Sequence, residues 1–244
     1  MRRADQKVAV CYLHPSEAVH PSFHQSLVNL LVHDMHGHRR IVEGGAHIAR
    51  QSGANVSGPR NELVECFLAL DGKPEWLWMV DADMQFQPDT VDRLVEAAHP
   101  TLRPIVGGLC FAIRPAPGYT AWDVKYHVWP TLFGLSDGVV HQWLDYPPDQ
   151  LVPVDATGAA CLLIHRSVFE GIQSHHPYRW FRESRMGNTP VSEDITFCLQ
   201  AKAAGFPIHV HTGIKTKHAK TWMVDEASYW RLRDETAAQI EGAA

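Results

Sequence analysis

The chain has 244 residues, 45% of them apolar and 20% charged, which suits one sizeable α/β domain and excludes a disordered chain. A net charge of −5 excludes the broad basic field that draws a protein to nucleic acid or anionic lipid. Five cysteines (Cys11, Cys66, Cys110, Cys161, Cys198) are odd in number, widely spaced and without a C-x-x-C pair; they read as buried thiols in a reducing compartment, not as a disulfide framework or zinc site.

The opening stretch, MRRADQKVAVCYLHP, is basic, but its apolar run is too short for a signal peptide. No run approaches the roughly 18 apolar residues that span a bilayer, so the expectation is a soluble, cytoplasmic protein. Residues 7–13, KVAVCYL, read as a first strand. Residues 21–36 read as a helix with Phe23, Leu27, Leu30, Leu31 and Met35 on one face. HDMHGH at 33–38 contributes to an unusual total of 16 histidines. It reads as solvated histidines suiting the helix dipole, because no cysteine or carboxylate set completes a metal site there. RRIVE, 39–43, reads as a second strand closed by Gly44 and Gly45.

SGPRNELVECFLAL then opens a helix, with Ser57 and Gly58 where a cap belongs, Pro59 in the first turn, and Leu63, Phe67 and Leu70 inward. WLWMV, 76–80, is apolar at every position, as a central strand covered on both faces must be. Pro88 and Asp89 open a helix with Val91, Leu94, Val95 and Ala98 inward, and PIVGG at 104–108 is a fourth strand. Such alternation predicts a parallel sheet with right-handed crossovers, whose ligands sit at the carboxyl ends of its strands. Residues 112–150 lose the helical period and read as loops and hairpins, with LFGLSDGVVHQW folding around an Asp-Gly turn. LVPVDATGAACLLI is a strand or strand pair, and RSVFEGI a short helix. SEDITFCLQAKAAG is a helix from the Ser192 cap to the Gly205 terminator. PIHVHT is a last strand, followed by a polar tail helix over 225–244. Nothing marks a domain boundary, so residues 1–244 read as one domain.

Asp81 and Asp83 carry the clearest chemistry. Two carboxylates two positions apart on an extended segment point the same way, and repel unless a cation joins them. Hard divalent ions such as Mg²⁺ and Mn²⁺ take carboxylate oxygens together with phosphate oxygens and water. His218, flanked by Lys215, Lys217 and Lys220, reads as a further ligand beside a lysine that meets phosphate, or as an exposed histidine in a basic loop. Glu193 and Asp194 either favour the helix dipole or supply a general base. GLSDG at 134–138 matches G-x-S-x-G, and Ser136, Asp194 and His218 follow the Ser…Asp…His order, leaving a serine hydrolase as an alternative. That motif needs a helix after the serine, whereas VVHQW is strand-like.

In this order the pieces resemble a GT-A glycosyltransferase of the family 2 type, from the first strand to about residue 222. WLWMVDADMQFQPDTVDRL, TGAACLLIHRSVFEGI and SEDITFCLQAKAAGFPIHV followed by KH carry the resemblance, with RNELV at 60–64 similar to the segment beside the nucleotide. It implies a mixed, mainly parallel sheet flanked by helices, with 1–110 as nucleotide-sugar half and 111–224 as acceptor and catalytic half. It implies Asp83 and His218 as ligands of Mn²⁺ or Mg²⁺, and Asp81 on the metal or the ribose. It further implies Arg60 and Asn61 near the nucleotide, Thr157 and Gly158 near the donor sugar, and Asp194 as base with Glu193 beside it. The donor implied is a nucleoside-diphosphate sugar, UDP-linked by preference. Lys215 or Lys217 would meet the diphosphate, and Arg182 or Arg185 would close from another loop. Trp180 and Arg182 would face the acceptor, with Trp222 nearby; the acceptor could be a glycan, a protein or a modified nucleic acid. Attack from the face opposite the diphosphate would invert the anomeric centre. A relative that binds nucleotide sugar without turnover is the other alternative.

Overall fold

The computed structural model describes residues 6–15, 18–41, 47–53, 55–115, 126–172 and 178–220. The expected tail helix and Trp222 lie outside them. The chain opens with strand β1 (Val8–His14) and helix α1 (Pro21–His36). Phe23, Ser26, Leu27 and Leu30 of α1 are buried, but Met35 is 64% exposed. At about 100° per residue Met35 lies roughly 120° round the helix from Phe23, beyond the buried stripe. Strand β2 is His47–Gln51, paired parallel to β1. The expected 39–43 strand is represented only by Ile41, which bridges Val8, and 42–46 fall outside the described residues.

Helix α2 (Ser57–Ala69) begins one position earlier than a Ser57 cap requires. Asn55 takes the capping role, its Oδ1 accepting from the Ser57 amide at 2.9 Å. Strand β3 (Trp76–Asp81) follows, then β4 (Met84–Gln85), α3 (Thr90–Ala97) and β5 (Ile105–Leu109). Two hairpins come next, β6 (Phe111–Pro115) with β7 (Tyr126–Pro130), and β8 (Leu132–Ser136) with β9 (Val139–Gln142). The Asp137–Gly138 turn of the second has φ of 51° and 71°, the left-handed pair that a two-residue hairpin of this type demands.

The remaining elements are β10 (Leu151–Val154), β11 (Ala156–Thr157), β12 (Cys161–His165) and α4 (Arg166–Gly171). A small hairpin, β13 (Ser184–Met186) with β14 (Thr189–Val191), precedes α5 (Glu193–Ala203), β15 (Ile208–Lys215) and β16 (Lys217–His218). The seven-stranded sheet runs β10-β15-β5-β12-β3-β1-β2. β1 lies parallel to β2 and β3, and β15 parallel to β5, while β12 and β10 are antiparallel to their neighbours.

β3 explains its own composition. Leu77 and Met79 pack with Leu63, Phe67, Phe169 and Phe197 beneath α2, α4 and α5. Trp76, Trp78 and Val80 pack with Phe23, Leu30, Val91 and Leu94 beneath α1 and α3. A strand buried on both faces has no room for polar residues until it leaves the sheet, and it does so at Asp81, which is partly exposed. Among the described residues no helix is long and apolar enough to cross a membrane.

Candidate active site

β4 pairs antiparallel with β16, setting Met84 opposite His218. This short ladder brings a residue from the far end of the chain to the turn that carries Asp83. His218 Nε2 lies 2.9 Å from Asp83 Oδ2, and Lys220 Nζ lies 2.7 Å from the same oxygen. The other ring nitrogen of His218, Nδ1, is 2.9 Å from the Phe111 carbonyl. A carbonyl only accepts, so Nδ1 carries the proton. Nε2 of a neutral ring would then present a lone pair to a carboxylate oxygen. A positive charge must stand at Nε2: either the ring's second proton or a cation.

Burial opposes charge on both partners, but their mutual hydrogen bond prevails. Burial alone would raise Asp83, yet hydrogen bonds from His218 and Lys220 hold it down at about 2. Burial alone would lower His218, yet Asp83 and the Phe111 carbonyl hold it above its ordinary value. An imidazole fixed through its far nitrogen to a backbone carbonyl, facing a carboxylate, is the orientation that metal-binding histidines adopt. Oxygen and imidazole donors suit Mn²⁺, and two protein ligands leave positions for phosphate oxygens and water. In donor type Asp83 and His218 suit a divalent ion, which would take the place the Lys220 ammonium holds on Asp83 Oδ2. Asp81 does not join it, and among the described residues no third His, Cys, Asp or Glu does.

Asp81 turns to Arg60. Arg60 Nη2 is 3.1 Å from Asp81 Oδ1, and its Nε is 3.3 Å from Glu193 Oε1 at the start of α5. The guanidinium side chain is only 8% exposed. Its burial disfavours charge, but Asp81, Glu193 and Asp194 around it raise its pKa above the ordinary value. Glu193 is pushed upward by burial and by Asp194, with Arg60 opposing. One buried cation therefore ties the end of β3 to the start of α5.

Asp194 is held differently. Its Oδ1 accepts from the Ser192 hydroxyl and, at 2.8 Å, from the Ile195 amide. Its Oδ2 lies above Gly158, where a Cβ would come within 3.5 Å of it and of Thr131. Thr157 anchors this floor: it is buried, its hydroxyl donates to the Thr131 carbonyl at 2.7 Å, and its own carbonyl receives the Cys198 thiol. A cleft of about 640 Å³ opens along Leu13, His20, Arg60, Asp81, Asp83, His218 and Lys220.

Several expected residues stand elsewhere. Asn61 is buried and structural: its amide donates to the Ser57 and Phe181 carbonyls, and its Oδ1 accepts from the Trp180 and Phe181 amides. Trp180 is 4% exposed, with its indole N–H on the Phe169 carbonyl, so it is a core residue and not a platform for an acceptor. Lys215 is exposed and reaches Asp149 at 3.5 Å; Lys217 is exposed on β16. Neither lines the cleft, whereas Lys220 does. Arg182 is half-buried. Ser136 ends β8 on an exposed hairpin, followed by a turn and a strand instead of the helix a nucleophile elbow requires. Ser136→Ala is expected to leave melting temperature and any donor turnover within error of the parent; loss of turnover in that variant alone would restore the hydrolase.

Reasoning from sequence missed Ser192 as the group that orients Asp194, and Thr131 beside Gly158. A serine at a helix cap carries no mark of such a task, and Thr131 sits in a stretch without periodicity.

The fold is the GT-A fold. The chain superposes on A197 from STIV with a TM-score of 0.52 at 15% identity, covering 87% of this chain and 86% of that one. It also superposes on GalNAc-T7, crystallised with UDP, GalNAc and Mn²⁺, with a TM-score of 0.56 at 11% identity. That match covers 88% of this chain but 43% of GalNAc-T7, so the chain spans less than half of that relative's length. No protein-family model matches the chain, and no curated protein matches it in sequence.

Proposed function

We propose that the chain is a metal-dependent glycosyltransferase that moves a sugar from a nucleoside-diphosphate donor, UDP-linked by preference, to an acceptor hydroxyl with inversion. The observation that carries this reading is the Asp83–His218 pair, two metal donors pre-oriented by the Phe111 carbonyl on the rim of a cleft. The GT-A fold supports it, as does GalNAc-T7, a neighbour of that fold crystallised with UDP and Mn²⁺.

Asp83 and His218 would hold Mn²⁺ or Mg²⁺, which when bound supplies Lewis-acid stabilisation of the departing diphosphate. Lys220 adds a second positive charge on the same side. Asp81, held by Arg60, accepts hydrogen bonds from the nucleoside ribose. Thr157 and Gly158, beneath Asp194, would lie beside the donor sugar. Asp194 Oδ2, above Gly158, takes the proton of the acceptor hydroxyl as it attacks from the face opposite the diphosphate. The segments 1–110 and 111–224 correspond to the donor and acceptor sides.

Asp83→Ala is expected to abolish the increase in melting temperature that UDP gives in the presence of Mn²⁺. Asp83 is partly exposed, so the variant should fold. An unchanged Mn²⁺-dependent shift would remove Asp83 from the metal site.

A further inference from the structure

A second cleft, of about 750 Å³, lies between the β8–β9 and β13–β14 hairpins and ends at the start of α5. Its walls are Phe133, Val140, Met186, Val191 and Ile195. Ser192 and Ile195 belong to its lining, and these are the residues whose hydroxyl and amide hold Asp194 Oδ1. The cleft therefore reaches the two neighbours that hold the carboxylate assigned above as base.

Its polar lining is largely engaged within the protein. Ser184 Oγ is 2.7 Å from Thr196 Oγ1, and the Ser192 hydroxyl donates to Asp194. Arg185 Nη2 donates to the Asn188 carbonyl at 2.6 Å, within its own hairpin. Glu183 and Thr189 complete the polar residues of the lining. A ligand covered in hydroxyls would exchange its bonds to water for an apolar wall, which is unfavourable for each group left unpaired. A nucleic acid would find a carboxylate at Glu183 and an arginine already bound to its own hairpin. An apolar body gains by entering, and the volume falls within the range that holds a drug-sized molecule.

We infer that this cleft binds the acceptor and that the acceptor is a hydroxyl carried on an apolar scaffold, aromatic or alkyl, the apolar part lying between the two hairpins. The inference rests on the glycosyltransferase reading and names the acceptor class for the same site. Val140 and Met186 form the wall that selects it.

The test measures UDP release from UDP-sugars with Mn²⁺, above the rate with water alone. The probes are octyl and p-nitrophenyl glycosides, the matching methyl glycosides and free sugars, a serine- and threonine-containing peptide, and single-stranded DNA. Octyl and p-nitrophenyl glycosides are expected to stimulate release, with KM at least about tenfold below that of the methyl glycosides; a buried methylene changes affinity by roughly fourfold. Val140→Asp is expected to raise the octyl-glycoside KM by about tenfold or more, while UDP with Mn²⁺ still raises its melting temperature. Val139→Asp, at the adjacent residue of β9, whose side chain is 51% exposed and points to the other face, is expected to change the octyl-glycoside KM much less. Stimulation by free sugar, peptide or DNA but not by the apolar probes would overturn the inference. So would silence from every apolar probe while UDP with Mn²⁺ still shifts melting of the parent chain. Loss of that shift in the parent would instead bring down the glycosyltransferase reading, and this inference with it.

Discussion

Asp194→Asn is expected to lower UDP release from a UDP-sugar by about 10²- to 10⁴-fold, while the melting shift with UDP and Mn²⁺ stays as in the parent. The geometry makes the substitution selective. An asparagine keeps the oxygen that accepts from the Ser192 hydroxyl and the Ile195 amide, so the first turn of α5 loses neither bond. What changes is the atom above Gly158, where a carboxylate oxygen becomes an amide that cannot take a proton. Initial rates and thermal shifts on the same preparation separate the outcomes. Turnover within threefold of the parent would remove Asp194 as base. Loss of the UDP shift would mean that the residue holds the donor site together. Glu193→Gln provides the contrast, because Glu193 is bound to Arg60 and only 12% exposed at its side chain. Its loss should weaken the fold more than the chemistry.

The parts of the molecule that could be read in the sequence are those where one local pattern has one physical solution. Five buried residues of β3, Trp76 to Val80, followed at once by acids, announce a central strand and its exit. The Asp137–Gly138 turn announces its hairpin because only a left-handed pair closes one that tightly. The acids, terminator and apolar face of α5 mark its extent to within a residue. Reading failed where a polar group is answered from far along the chain. Asn61 has no local signature, yet it fixes the backbone of residues 180 and 181, about 120 positions away. Arg60 looks like any basic residue on a helix until β3 and α5 bring acids to both its edges. Lys215, Lys217 and Lys220 are indistinguishable by composition. Only the pairing of β16 with β4, after a register shift in β15 between His211 and Lys215, turns the last of them toward Asp83. Strand β2 goes unannounced because HIARQ is too polar to mark a strand.

Arg60→Met is expected to cost about 3 kcal/mol of stability near pH 7.5 and to lower the melting temperature by about 6–12 °C. Methionine keeps the unbranched apolar stem of the side chain and removes the guanidinium, with its charge and its hydrogen bond to Asp81. It leaves Asp81 and Glu193, brought together by β3 and α5, without the cation between them. The figure is the low end for a broken buried pair, because Asp81 keeps 28% of its side chain in contact with solvent. Lysine should recover only part of the loss, since a shorter, more strongly hydrated ammonium replaces a planar guanidinium that lies beside both carboxylates. The pH dependence gives a sharper check. Glu193 is already raised above its ordinary value in the folded chain, so it favours folding below the unfolded value of about 4.5. That contribution is lost as pH rises through the raised value. Arg60 is the group that opposes the rise, so removing it lifts Glu193 further and widens that window. The difference between parent and variant should therefore be largest at neutral and alkaline pH and shrink toward pH 4.5, as Glu193 takes up its proton. Melting curves across that range decide the matter. A difference that is flat with pH would mean that Arg60 acts through packing against Phe181, 5.8 Å away, and not as the charge that holds the two sides of the site in register.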